Sequence, residues 1–487
     1  MRMTQFIRYF LRQTFLLMMS TTILGLLPSQ FGFAADKKPN IVFFLVDDLG
    51  WSDLGCYGNR FHETPTIDRF AKQGMLFTDA YAACPVCSPT RASIMTGKYP
   101  ATLNLTDFIP GHWRPWAKLI VPKFNQQLPY KEITIAEALK PLGYTSGAFG
   151  KWHLGGRRFF PDSQGFDEFL VTSGRHFAPN FRTIPRMKVP KGQYLADTLT
   201  DRAERFLETN KDKPFFLYLS HYAVHIPLEA KDELVEKYRQ KKKPATGVNH
   251  PVYAAMVEHV DRSFARILKK LDELKLSDNT VVIFFSDNGG LRKRFDDQGP
   301  IVTSNAPLRD EKGSLYEGGI RVPAIIRWPG KVKADIKNST PVCSIDFFPT
   351  ILEIAQGSKN SKASNSDVDG KSLLPVLVGS SNIERTALYW HYPHYHHTSP
   401  AGAIRAGDFK LIEYFEDGKL ELYNLKSDFG ETRNLADSLP RKTAELHELL
   451  NKWRKQVDAK MPTVNPKHNP AKAQLWGRRS RKKKRRK

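Results

Sequence analysis

The stretch that decides the fold lies near the start of the chain and is Ile41-Val42-Phe43-Phe44-Leu45-Val46-Asp47-Asp48. Its continuous apolar run, rich in β-branched and aromatic residues, is typical of a strand buried on both faces of a parallel sheet. The two carboxylates then lie just beyond the carboxyl end of the strand, where open α/β sheets place their ligands. The stretch therefore predicts both a central strand and the position of a functional site.

Similar apolar runs recur along the chain, and helical patterns lie between them. Strands are predicted over residues 41–46, 144–149, 215–219, 281–285 and 324–328, and helices over 65–73, 133–142, 195–209 and 252–274. This alternation predicts an α/β fold in which a large, mostly parallel sheet lies between layers of helices.

The pattern changes after about residue 379. Short strands are predicted over 388–392, 409–415 and 420–425, with turns between them and a helix over 440–459. We therefore divide the chain into a leader (1–35), a large domain (36–380), a smaller subdomain of antiparallel sheet plus helix (381–465) and a basic disordered tail (466–487).

The leader has the features of a secretory signal peptide. Arg2, Arg8 and Arg12 precede an apolar stretch over 15–27, and Gly32 and Ala34 are small residues suited to a cleavage site. An N-terminal membrane anchor is the alternative, but the apolar stretch is short for spanning a bilayer. We expect an exported protein, periplasmic or secreted, with no stable membrane span.

The net charge of the chain is +24, and nine cations lie in the last ten residues. Without these and the three arginines of the leader, the charge is still +12. A basic exported protein suits an acidic substrate such as a sulfated polymer, whereas nucleic acid is a poor partner outside the cell.

Two positions in the predicted sheet indicate a metal site. Asp47 and Asp48 follow the first strand, and Asp287 and Asn288 follow the strand over 281–285. Carboxylate and amide oxygens form the hard, all-oxygen site that Ca²⁺ prefers, with Mg²⁺ as the alternative. A turn or a helix cap is the other interpretation of an Asp-Asp pair.

Cys87 lies at the start of a predicted short helix. Ser88 is its expected N-cap, Pro89 suits its first turn and Gly97 its end. Arg91 falls in the first turn, where a cation is locally unfavourable unless an anion lies nearby. The alternative for Cys87 is a structural role as a buried core residue. The four cysteines of so long a chain do not make a disulfide framework.

The remaining strand ends carry groups that suit anion binding and proton transfer. Lys151 and His153 lie in Gly150-Lys151-Trp152-His153-Leu154-Gly155, His225 precedes Ile226-Pro227, and Lys312 opens a segment that ends in Arg321-Val322-Pro323. These segments, together with Asp47-Asp48, Cys87-Ser88-Pro89-Thr90-Arg91 and Asp287-Asn288-Gly289-Gly290, resemble in sequence and order the motifs of the type I sulfatases. That family has an alkaline-phosphatase-like fold. Thr90, where Ser is usual, and Val224, where Pro is frequent, are small departures.

The resemblance implies a role for each residue. Cys87 is oxidised by a maturase to formylglycine, the nucleophile, which also joins Asp47, Asp48, Asp287 and Asn288 as a ligand of a divalent cation. Arg91 stabilises the formylglycine hydrate, and Lys151 and Lys312 bind the sulfate oxygens. His153 assists breakdown of the covalent sulfate intermediate, and His225 protonates the leaving alcohol.

The resemblance predicts a sulfuric ester hydrolase acting on a sulfated carbohydrate or an aryl sulfate. A phosphate or phosphonate monoester hydrolase of the same superfamily and an inactive glycan-binding homologue are the alternatives. The aromatic and histidine-rich run over 390–397 suits sugar binding, so we expect His391 and His394 to contact substrate. Among substrates we favour a galactose or N-acetylgalactosamine sulfate attacked by an exo-acting enzyme.

Overall fold

The structure is a computed structural model that describes residues 37–294, 299–357 and 367–477. The predicted signal peptide and the last ten residues of the predicted basic tail lie outside these ranges. In the part of the chain that is described, every helix is too short or too polar to cross a membrane.

A mixed sheet of nine strands forms the centre of the large domain, in the order β11-β2-β10-β9-β1-β8-β5-β6-β7. Its strands are β1 (Asn40–Val46), β2 (Met75–Phe77), β5 (Thr145–Gly150), β6 (Glu168–Gly174), β7 (Phe181–Ile184), β8 (Phe215–Ser220), β9 (Thr280–Ser286), β10 (Ala324–Arg327) and β11 (Ile336–Asn338). The short strands β3 (Ala80–Tyr81) and β12 (Val342–Cys343) pair with each other, as do β4 (Leu119–Ile120) and β17 (Thr463–Val464). Strand β1 is parallel to β8 and β9, and β5 is parallel to β8 and β6, so the carboxyl ends of these five strands lie at one edge of the sheet.

Helices cover both faces of this sheet. The helices of the large domain are α1 (Pro65–Lys72), α2 (Cys87–Thr96), α3 (Ile135–Leu139), α4 (Leu195–Asn210), α5 (Asp232–Gln240), α6 (Pro251–Glu273), α7 (Glu317–Ile320), α8 (Phe347–Gln356) and α9 (Leu374–Leu377). Phe44 of β1 packs against Phe264 of α6, and its neighbour Phe43 packs against Phe347 of α8. Alternate residues of one strand thus enter two hydrophobic layers, which explains why the run is apolar without interruption. The predicted α/β architecture is confirmed.

The smaller antiparallel sheet is also confirmed, with four strands in the order β13-β14-β15-β16. They are β13 (Leu388–Tyr392), β14 (Ala401–Ala406), β15 (Phe409–Tyr414) and β16 (Leu420–Asn424), and α10 (Pro440–Gln456) packs on β14 and β15. Sequence reasoning missed β14, whose alanines and glycine have low strand propensity. The strand forms because it is hydrogen-bonded to β13 on one side and β15 on the other.

A buried ion cluster joins the small sheet to the large domain. Lys410 of β15 is fully buried, and its Nζ donates to Glu317 Oε1 at 2.8 Å and to Glu431 Oε1 at 2.8 Å. Glu317 opens α7, directly after the segment that carries Lys312. The cluster therefore fixes the small sheet against the part of the large domain that carries Lys312.

We expect Lys410→Met to lower the free energy of unfolding by about 3–5 kcal/mol, because it removes the only cation that pairs with the buried Glu431 among the described residues, whereas Glu317 keeps Arg321. Urea unfolding followed by circular dichroism measures this loss. Lys419→Met is the matched control: Lys419 is exposed, pairs only with Glu421 among the described residues, and its loss costs at most about 0.5–1 kcal/mol. Equal effects of the two substitutions would refute a structural role for the cluster.

Candidate functional site

The site lies at the edge of the sheet where the parallel strands β1, β5, β8 and β9 end. Val46 and Ser286 are paired in the last register of β1 and β9, so Asp47-Asp48 and Asp287-Asn288 leave the sheet side by side. Lys151 follows β5 directly, and its backbone N–H donates to Ser220 O at the end of β8. Residues far apart in the sequence are therefore brought together by strand pairing alone.

Carboxylate and amide oxygens converge at this edge. One oxygen of each of Asp47, Asp48 and Asp287 lies within 4.8 Å of the others. Asp47 Oδ1, Asp48 Oδ2 and Asn288 Oδ1 are buried and have no hydrogen-bond partner among the described residues. Buried oxygens without partners are costly unless a ligand satisfies them. The donor set is all oxygen, so the residues fit a hard divalent cation such as Ca²⁺ or Mg²⁺.

The loop that carries the carboxylates is held in an unusual backbone conformation. Asp48 has a φ of 60°, in the left-handed region that few residues other than glycine adopt. Hydrogen bonds to Asp53 stabilise the turn that follows: Asp53 Oδ2 accepts from Gly50 N at 2.7 Å and from the Tyr253 hydroxyl at 2.6 Å. His153 has a φ of 59°. Strained residues of this kind cluster at functional sites, where the surrounding structure fixes them.

Cys87 is the first residue of α2, as Val86 is the N-cap. The predicted N-cap, Ser88, is therefore wrong by two positions: its hydroxyl instead accepts a hydrogen bond from Ile109 N at 3.2 Å. The predicted end is right, since Gly97 follows the helix with a φ of 71°. Burial raises the pKa of the Cys87 thiol, although Lys151 and Lys312 oppose the shift.

Arg91 lies beneath the carboxylates and is fully buried. Its Nε and Nη2 donate to Asp287 Oδ2 at 2.9 Å and 2.7 Å, and its Nη1 donates to Lys151 O and to Ser220 Oγ. The anion that the sequence required near this cation is thus Asp287. Arg91 holds three of the four strand ends in place through these bonds.

Two lysines neutralise the first two carboxylates. Lys151 Nζ lies 2.5 Å from Asp47 Oδ2, and Lys312 Nζ lies 2.6 Å from Asp48 Oδ1. Burial alone lowers the pKa of a lysine, but the adjacent carboxylates outweigh it, so the pKa of each lysine is raised and both are cations.

The two predicted histidines have defined orientations. His153 Nε2 lies 2.6 Å from Ile109 O and must donate there, so in the neutral ring Nδ1, 3.2 Å from Cys87 Sγ, is an acceptor. His225 Nδ1 donates to Ile226 O, which leaves Nε2 on the side of Asp48, 3.8 Å from Oδ2. Burial lowers the pKa of His225 to about 3, with Lys312 and Lys151 adding to the effect and Asp48 opposing it.

These side chains line a single cavity of about 470 Å³. Cys87, Lys151, His153, His225 and Lys312 all face it, together with apolar and aromatic groups such as Phe160 and Ile184. The structure thus brings every predicted nucleophile, anion-binding and proton-transfer residue to one cavity, beside the carboxylates. The cationic and apolar lining of this cavity suits a small anionic group attached to a larger body.

The structure does not place His391 and His394 in this cavity, which corrects the expectation that they contact substrate. His391 is buried in β13 with Nε2 against Lys460 O, and His394 Nε2 lies 2.8 Å from Thr106 Oγ1. His396 of the same run lines the cavity instead. Its ring packs where a Cβ on Gly313 would stand, so the glycine beside Lys312 allows this close approach.

Sequence reasoning missed several supporting residues. Ser220 accepts a hydrogen bond from Arg91, and Asp53 and Tyr253 stabilise the turn after Asp48. Tyr222 and His112 line the cavity. Ser220 follows a predicted strand, which was a usable signal. Asp53 and Tyr253 are 200 positions apart, and no local sequence pattern indicated their contact.

Two family models match the chain. The model described as Sulfatase matches residues 39–358, and the model described as N-sulphoglucosamine sulphohydrolase, C-terminal, matches residues 310–458.

Curated proteins with similar sequences are sulfatases. A protein named Sulfatase from Formosa agariphila is 32% identical, over 86% of this chain and 88% of its own. N-acetylgalactosamine-6-sulfatase from Homo sapiens is 33% identical, over 73% and 69%. Among solved structures, Ps i-CgsB in complex with k-i-k-neocarrahexaose is 29% identical with a TM-score of 0.73, over 89% and 96% of the two chains.

Proposed function

Because this chain belongs to the sulfatase family, as a type I sulfatase, we propose that it removes sulfate from a sulfated carbohydrate by means of a formylglycine made from Cys87. Family membership makes the protein a sulfatase, that is, a sulfuric ester hydrolase. Beyond this, we propose that formylglycine is the nucleophile, that a Ca²⁺ or Mg²⁺ ion is bound and that the substrate is a carbohydrate.

One observation carries the proposal. Three buried oxygens without hydrogen-bond partners among the described residues, on Asp47, Asp48 and Asn288, lie where Arg91, Lys151 and Lys312 pair with the carboxylates, beside the cavity that Cys87 lines. Carboxylates that only supported the fold would have their oxygens satisfied by protein donors. A cation held by Asp47, Asp48, Asp287, Asn288 and residue 87 satisfies them.

The chain's own residues supply binding and proton transfer. Lys151 and Lys312 bind the sulfate oxygens and offset the charge that spreads over them in the transition state. The bound cation adds electrostatic stabilisation of the same charge, and the hydrate of formylglycine supplies the attacking hydroxyl. Arg91 orients Asp287 and the end of β8. His153 Nδ1 accepts the proton of residue 87. His225 donates a proton to the leaving oxygen from Nε2 once the negative charge of the bound sulfate ester favours the cationic form of its ring.

The relatives support a sulfated glycan as substrate. One is named for N-acetylgalactosamine 6-sulfate, and a solved structure holds a neocarrahexaose. Another, BT4656, was solved with its substrate D-glucosamine-2-N,6-O-disulfate. The proposal includes export from the cell and processing by a formylglycine-generating maturase.

A paired assay tests this function. The protein is produced together with a maturase, and mass spectrometry of the Cys87 peptide measures conversion of the thiol to the aldehyde. Hydrolysis of an aryl sulfate and of the matching aryl phosphate is then compared. Faster hydrolysis of the sulfate is expected, and faster hydrolysis of the phosphate would support the phosphatase alternative.

His225→Ala tests the assignment of the leaving-group acid. A sugar alkoxide leaves poorly without a proton, whereas an activated nitrophenolate leaves well. We expect kcat on a sugar sulfate to fall about 10²–10⁴-fold and kcat on nitrophenyl sulfate to fall far less. Equal losses on both substrates would show that His225 is not the acid.

A further inference from the structure

A second cavity of about 890 Å³ adjoins the active-site cavity, and His112 lines both. The ring of His112 lies 5.0 Å from the ring of His396, which also lines the active-site cavity. We call this second cavity the outer groove; it is lined by segment 112–126 except residues 117, 118 and 125, by Tyr395 and by segment 465–467. The outer groove therefore extends the active-site cavity on the side of His112.

The lining of the outer groove combines cations with aromatic rings. Arg114, Lys123 and Lys467 line it, and its lining residues include no aspartate or glutamate. Trp116 and Phe124 offer aromatic faces. Aromatic rings give sugars flat apolar contact, and clustered cations attract anions. The lining is therefore complementary to an anionic carbohydrate.

Two distant parts of the chain build the groove together. Strand β17 pairs with β4, and Asn465 Nδ2 donates to Pro115 O at 3.0 Å and to Ala117 O at 2.7 Å. The guanidinium of Arg114 lies 3.9 Å from the centre of the Trp476 ring. The sequence predicts that residues 466–487 form a basic disordered tail. Residues 466–477 nevertheless contact segment 113–118 through Trp476 and through backbone hydrogen bonds from Asn469 N to Trp116 O and from Gly477 N to Trp113 O. The groove is thus preformed.

We propose that the outer groove binds the sugar residues that neighbour the sulfated sugar, so that the enzyme prefers sulfated oligosaccharides to sulfated mono- or disaccharides. The inference rests on the proposed function, because it takes the active-site cavity as the place of the sulfate ester. Residues 478–487, which continue from this segment, are excluded as the occupant, since nine cations would meet the groove's own cations.

The test measures binding with the Cys87→Ala variant, so that it does not depend on turnover. Its affinities for a hexasaccharide and a disaccharide of chondroitin 6-sulfate, and of ι-carrageenan, are measured by calorimetry. For at least one glycan we expect the hexasaccharide to bind about tenfold more tightly, with a smaller difference at high salt. Equal affinity at both lengths for both glycans would overturn the proposal.

Added substitutions locate the effect. Lys123→Ala with Lys467→Ala, and separately Trp116→Ala, reduce the ratio of hexasaccharide to disaccharide affinity about tenfold. Lys118→Ala is the matched control: Lys118 is exposed in the same segment, but it does not line the groove, and the ratio stays unchanged. A ratio that survives both groove variants would place the extra contacts elsewhere and overturn the proposal.

The outcome is separable from that of the proposed function. If the groove-dependent preference is found and the wild-type enzyme hydrolyses no sulfated glycan, the groove stands and the function fails. If the wild type hydrolyses sulfated disaccharides and binding does not depend on length, the function stands and the groove fails.

Discussion

Replacement of Cys87 by alanine is expected to abolish turnover, lowering kcat by at least about 10⁴-fold, while the protein remains folded. The side chain is only 2% exposed, but it is small and alanine fits the first turn of α2. The variant keeps the proposed cation ligands Asp47, Asp48, Asp287 and Asn288 and loses the side chain that supplies the proposed nucleophile and the fifth proposed ligand. Steady-state hydrolysis of an aryl sulfate, with thermal unfolding in parallel, makes the measurement.

Cys84→Ala is the matched control for this substitution. Cys84 is also buried, three residues earlier, but its thiol contacts Thr106 O and does not line the active-site cavity. We expect it to retain activity within about tenfold. Substantial turnover by Cys87→Ala protein would refute the formylglycine mechanism, and inactivity of both variants would point to disruption of the loop before α2.

Removal of divalent cations is expected to have the second large effect. Chelation should lower kcat at least about 100-fold, because it removes charge stabilisation from the transition state and leaves three carboxylates close together. The melting temperature should fall as well, since a cation that binds only the folded state stabilises it. Dialysis against EDTA, followed by an aryl sulfate assay and a thermal melt, measures both quantities.

Addition of Ca²⁺ or Mg²⁺ to the chelated protein restores activity and melting temperature in this prediction, whereas K⁺ does not. Asp48→Asn provides an independent check, as it weakens the site without a chelator and should shift the Ca²⁺ concentration needed for half-maximal activity upward. An unchanged rate and an unchanged melt after exhaustive chelation would contradict the metal assignment.

The elements that the sequence predicted well are those with a strong local pattern. Strands β1, β8 and β9 carry continuous apolar runs, and the predicted ends of these strands and of β5 lie within one residue of the observed ends because polar groups follow directly. The elements that were missed are strands β2, β6, β7, β11 and β14, the short strands β3, β4, β12 and β17, and helices α5, α7, α8 and α9. In β14, for example, pairing with two neighbours rather than local composition decides the conformation.

The sequence by itself predicted which groups meet at the site: the carboxylates after β1 and β9, the cysteine at the start of α2, Lys151 and His153 after β5, His225 after β8, and Lys312 before α7. It could do so because parallel strands present their carboxyl ends at one edge, so position along the chain implies position in space.

Only the tertiary structure decided that His396, and not His391 or His394, reaches the cavity, and that residues 465–467 build a groove with segment 112–126. Both depend on packing between segments hundreds of residues apart, as in the bond from Asn465 to Pro115, and no local pattern encodes such a contact.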